Sequence, residues 1–138
     1  MYIDLTMKLE EGMVPYPGDV KTRVNRKTSI AEDGYNTSEI IISSHAGTHI
    51  DMPSHIIEGG ASELECARFI GIAGILDVRG EYIIEYNALY GETIEKDDIV
   101  ILYTGASESP IDEEYYTRFI KLEQEFIDFL IETDIKML

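Results

Sequence analysis

Cysteine occurs once in this chain of 138 residues, as Cys66, so no internal disulfide can form. A lone thiol fits a reducing compartment, and the cytoplasm is the expected location. No motif surrounds Cys66, which is therefore expected to be a small buried side chain and not a reactive one. Positive charge is scarce as well: 11 Lys and Arg stand against 27 Asp and Glu, a formal charge of −16. Nucleic-acid binding needs a basic stripe to displace counterions, and the one basic cluster, Lys21, Arg23, Arg26 and Lys27, is small beside that acidic excess. No nucleic-acid partner is expected, and the acidic surface mainly favours solubility. Long apolar runs are missing too. The N-terminus, MYIDLTMKLEEG, has an acid at position 4 and does not read as a signal peptide, and no segment is long enough to span a membrane.

What is present suits one folded domain over residues 1–138, since 44% of the residues are hydrophobic. Tyr2 to Thr6 alternates like a short strand, and Glu10-Glu11-Gly12 ends it. Val14-Pro15-Tyr16-Pro17-Gly18-Asp19 predicts a stiff loop, because two prolines and a glycine forbid regular structure. That loop, with Tyr16, suits the wall of a pocket or a plain turn. Lys21 to Thr28 has one apolar residue, Val24, and predicts an edge strand or hairpin arm. Thr37 to Ser44 is β-branched and apolar enough for a strand. Ile72 to Val78 and Ile99 to Thr104 predict buried strands at the centre of a sheet. Ser109 to Glu113 resembles a helix start, and apolar residues from Tyr116 to Ile131 recur at helical spacing, which predicts one helix or two short ones whose aromatic stripe is core. The last five residues, Asp134 to Leu138, look like the beginning of a strand.

Histidine is confined to a single stretch. HAGTHIDMPSH, residues 45–55, holds all three, with Asp51 between the second and third. Imidazole and carboxylate together form a ligand set for zinc, manganese or iron, and the candidates are His45, His49 and Asp51. A helix is disfavoured by Gly47, the β-branched Thr48 and Ile50, and Pro53. A straight strand puts these ligands on one face but separates the two histidines by roughly 13 Å, too far to share one ion. A bend at Gly47 removes the difficulty, and glycine permits it. The alternative is a solvated loop where three histidines fell together by chance; Asp51, the glycine and the regular spacing weigh against it. Thr48 is expected to hold the backbone of this motif by hydrogen bonding and not to touch substrate.

The pattern HxGTHxDxPxH, present in full as His45, Gly47, Thr48, His49, Asp51, Pro53 and His55, resembles the signature of the cyclase-family metal-dependent hydrolases, which include bacterial kynurenine formamidase (arylformamidase) and isatin hydrolase. Ile3-Asp4-Leu5-Thr6, Tyr16-Pro17-Gly18-Asp19, Gly71 to Val78 and Asp98 to Gly105 are similar to other family segments in order and spacing. The resemblance implies an α/β (α+β) chain with a swivelling β/β/α domain, C-terminally truncated, since family members run longer and take a further histidine and a glutamate from their C-terminal part. No histidine follows His55 here. It also implies a homodimer or higher homo-oligomer, and zinc or manganese on His45, His49 and Asp51, with His55 as proton shuttle. The implied reaction is hydrolysis of a small-molecule substrate, an N-formyl or cyclic amide, with Tyr16 a candidate for the substrate wall. A catalytically inactive relative, serving as a metal-binding or oligomeric interaction module, is the other reading.

Overall fold

The structure is a computed structural model and describes residues 1–112 and 114–138. The chain divides into two compact units, Met1–Gly60 with Ile111–Tyr116, and Ala61–Pro110 with Thr117–Leu138.

The first unit is built on a hairpin. Strand β1 (Arg23–Thr28) pairs antiparallel with β2 (Thr37–Ile41), in a register that sets Val24 opposite Ile40 and slips between Arg26 and Thr28. Between them lies the one-turn helix α1 (Ile30–Asp33), capped by Ser29, whose hydroxyl accepts from the Glu32 amide, and closed by Gly34. Asn25 and Lys27 both reach Glu39 across the hairpin, at 3.1 Å each. Both strands are exposed, as expected of an edge hairpin. Tyr16-Pro17-Gly18-Asp19 is a tight turn closed by Asp19 N–H donating to the Tyr16 carbonyl at 2.9 Å; Gly18 sits at φ +98°, after proline at the preceding position.

Tyr2 to Thr6 forms no strand. Asp4 explains this locally: its carboxylate accepts from both the amide and the hydroxyl of Thr6, a local turn that competes with a ladder.

The second unit holds the core. Strands β3 (Ala73–Asp77) and β5 (Ile99–Tyr103) run parallel, with Ala73 opposite Ile99 and Asp77 opposite Tyr103. A second parallel pair joins β4 (Ile83–Ile84) to β6 (Lys121–Leu122). Helix α2 (Gln124–Glu132) contributes Phe126 and Leu130, one turn apart, to a cluster with Leu76, Val78, Ile84, Ile94 and Val100. The expected buried strands are buried on one face only: Leu76 and Val100 are inside, while Ile75 is 61% and Ile101 40% exposed. At the C-terminal end, Met137 bridges to Ile99 in parallel, and Val100 donates to its carbonyl at 2.8 Å, so these residues do begin a strand beside β5.

The helix expected from Ser109 is only half present. Glu113 lies outside the described residues. The Asp112 side chain and carbonyl both accept from the Tyr115 amide, and further along Lys121 and Glu123 donate to Tyr82 and Ile84, which places Lys121–Leu122 in a sheet. Pairing with β4 therefore overrides the helical spacing, and the helix starts at Gln124. Cys66 corrects a second expectation: it is exposed, at the start of a short turn (Cys66–Phe69), with no apolar layer over it. No helix among the described residues is long and apolar enough to cross a membrane.

Candidate metal centre

Strand β2 ends at Ile41, and the chain turns at once: the Ala46 amide donates to the Ser43 carbonyl at 3.1 Å. Ser43 anchors this turn, since its hydroxyl donates to the Asp19 carboxylate and accepts from the His45 amide. The chain then bends at Gly47, where φ is +65°, a conformation disfavoured for residues with a Cβ. Space is restricted there too, since a Cβ on Gly47 would lie 2.8 Å from Leu9 Cδ2. Thr48 ties the bend to the N-terminal segment: its hydroxyl accepts from the Met7 amide at 2.8 Å. It does hold backbone, but that of a segment 41 residues away.

The bend brings the three expected ligands together. His45 Nδ1 lies 3.3 Å from His49 Nε2 and 3.2 Å from Asp51 Oδ1, and His49 Nε2 lies 3.7 Å from the same oxygen. Three atoms so separated lie on a circle of radius about 2.0 Å, the length of a metal–imidazole bond. These donors fit a divalent ion. The second nitrogen of His49 supports the fit: Nδ1 is 2.8 Å from the Gly47 carbonyl, which only accepts, so the proton of a neutral ring belongs there and the Nε2 lone pair faces the shared point. His45 is half-buried, His49 and Asp51 exposed.

His55 is carried back toward the cluster by the turn Pro53–His55, in which its amide donates to the Met52 carbonyl at 2.8 Å. Its ring centroid lies 4.5 Å from that of His45. A cavity of about 540 Å³ opens beside the histidines, with His45, Gly47, His49, Met13 and Tyr116 in its lining. Tyr16 is not in that lining; its ring lies edge-on to that of Tyr116 at 5.5 Å. Tyr116 is the residue that sequence reasoning missed. Its helical spacing marked it as core, and no local pattern places it against a loop 102 residues away, where its hydroxyl donates to the Val14 carbonyl at 2.8 Å. Burial raises the pKa of its phenol above the ordinary value, with Tyr115 and Asp19 adding to the shift. Met7, Met13 and Ile111, also in the lining, carried no signal in the sequence either.

Comparison with known proteins places the chain in a family. The family described as Putative cyclase matches residues 3–138. The chain is 34% identical over 134 residues to an uncharacterized protein of Methanocaldococcus jannaschii, covering 97% of this chain and 64% of that one. It is 31% identical over 110 residues to the kynurenine formamidase of Geobacillus thermodenitrificans, covering 76% of this chain and 52% of the enzyme. Among solved structures, a potential metal-dependent hydrolase with cyclase activity superposes with a TM-score of 0.73 at 25% identity, over 96% of this chain and 63% of the other. The chain thus spans less than two thirds of the length of these relatives, and its fold is that of the cyclase-like hydrolases.

Proposed function

The chain belongs to the cyclase family, and from that membership we propose that it hydrolyses a small amide, N-formyl or cyclic, at a divalent metal held by His45, His49 and Asp51. The observation that carries the reading is the convergence of those three ligand atoms, each within 3.7 Å of the other two. The similarity to a kynurenine formamidase supports an amide as substrate.

A divalent ion bound there supplies Lewis acidity, lowering the pKa of water toward ~7 and polarising the carbonyl under attack. Zinc and manganese are the ions proposed, since two imidazoles and a carboxylate suit either. The chain's own residues do the rest. The Gly47 carbonyl fixes the His49 tautomer, and the Gly47 bend keeps both imidazoles on one point. His55, beside His45 but not among the three converging ligand atoms, takes a proton from the attacking water as its oxygen bonds to the carbonyl carbon and gives that proton to the departing nitrogen as the C–N bond breaks; imidazole suits that exchange near neutral pH. The cavity beside the histidines takes the substrate, with Val14 and Tyr116 in its lining and Tyr16 packed edge-on against Tyr116.

The uncovered face of the second unit's sheet, with Ile75 and Ile101 exposed, supports association into a homodimer or higher homo-oligomer. A metal-binding or oligomeric module without catalysis is the second reading, since the His45, His49 and Asp51 cluster and the exposed Ile75 and Ile101 need no catalytic step.

The test is metal content by elemental mass spectrometry on protein loaded with zinc or manganese and desalted, followed by a formanilide hydrolysis assay. About one ion per chain, lost in His45→Ala, is expected of this site. Retained metal without turnover selects the module, and absence of metal refutes the hydrolase and a metal-binding module alike, leaving only an oligomeric one.

A further inference from the structure

The short segment Ile111–Tyr116 belongs to the first unit although the chain on both sides of it belongs to the second. Such an excursion needs a fixed endpoint, and Tyr116 supplies one. Its hydroxyl donates to the Val14 carbonyl at 2.8 Å. Its ring meets the rings of Tyr16 and Tyr115 edge-on, at 5.5 and 5.3 Å. It is half-buried, and it lines the same cavity as His45 and His49. A hydrogen bond to Val14 and a ring contact with Tyr16, both about a hundred residues away along the chain, hold this side chain in the lining it shares with Val14.

We propose that Tyr116 is a positioning and specificity-determining residue: it pins the Val14–Tyr16 loop and offers its ring as the wall against which the apolar group of an amide substrate rests. The inference rests on the hydrolase reading given above. The raised phenol pKa keeps the hydroxyl protonated, hence a donor, throughout the neutral range. The two parts of the side chain have separable jobs. The hydroxyl holds the loop, and the ring contacts the ligand beside the apolar Met13 and Ile111. The effect is on binding and not on the chemical step, because nothing in these contacts reaches the converging ligand atoms.

The probe is 4-fluoroformanilide, followed by fluorine NMR line broadening on the metal-free protein, so that failure of the metal reading leaves this measurement intact. Tyr116→Phe, which removes one hydrogen bond, is expected to weaken binding about fivefold. Tyr116→Leu, which removes the ring, is expected to weaken it about tenfold or more. In the metal-loaded protein the same variants raise KM by these factors, keep kcat within about twofold, and retain the wild-type metal content. If Tyr116→Leu loses its far-ultraviolet circular dichroism, Tyr16→Leu removes the same aromatic edge from the other partner and is expected to weaken the probe severalfold. No binding by the wild type, or equal binding by wild type and variants, overturns the proposal. A loss of kcat with unchanged KM overturns it as well.

Discussion

Gly47→Ala is the sharpest test of the metal centre, because the backbone conformation there favours glycine. Its φ of +65° costs a residue with a Cβ about 1–2 kcal/mol. The new Cβ would also lie 2.8 Å from Leu9 Cδ2 and 3.7 Å from Met13 Cε. Leu9 is 54% exposed and its methyl is free to turn away, so the backbone cost dominates. Relaxing out of the left-handed region would swing the carbonyl of residue 47 away from His49 Nδ1 and open the ligand triangle. A site that must be returned to that conformation on binding loses the same 1–2 kcal/mol from its affinity, or about 5–30-fold in Kd. The assay is competition for zinc against a chromophoric chelator at fixed pH, on wild type, Gly47→Ala and Gly47→Asn. Asparagine tolerates a left-handed backbone, so it should recover most of the affinity that alanine loses. Wild-type affinity in Gly47→Ala, or asparagine no better than alanine, would refute the argument that this bend builds the site.

His55→Ala should leave metal content near one ion per chain while formanilide turnover falls by about 10²–10⁴, the usual worth of a positioned proton donor; unchanged turnover removes His55 from the mechanism. In the second unit, Phe126 is 0% exposed, and Phe126→Ala should cost about 3–5 kcal/mol in urea unfolding followed by far-ultraviolet circular dichroism. A loss below about 1 kcal/mol would mean that the cluster collapses around the cavity. Arg79 holds the Asp77 carboxyl below the usual carboxylate range, chiefly by its side-chain hydrogen bond. There the unfolded chain binds more protons than the native one, so the pair's small contribution is present above about pH 4 and is lost as pH falls through the lowered pKa. Arg79→Met should flatten that acid limb of the stability profile, and an unaltered limb would show that solvent screens the pair completely.

The features legible in the sequence were those set by neighbours along the chain. Pro17-Gly18 makes a turn, and the β-branched run from Thr37 becomes β2, because backbone preference and side-chain period act over a few residues. The ligand trio was legible for the same reason: His45, His49 and Asp51 lie within seven residues, and one glycine suffices to fold them onto a point. Tyr2–Thr6 failed as a strand because Asp4 satisfies Thr6 locally, and the helix expected near Tyr116 failed because Lys121–Leu122 found a partner in β4.

The sequence by itself determined which atoms could bind a metal and where the chain must bend to gather them. Only the tertiary structure decided what surrounds those atoms. Thr48 receives its donor from Met7, 41 residues away, and Tyr116 reaches Val14 across 102 residues. Such contacts leave no periodicity or spacing in the chain, because the free energy that forms them comes from burial and hydrogen bonding between segments whose separation along the chain is arbitrary.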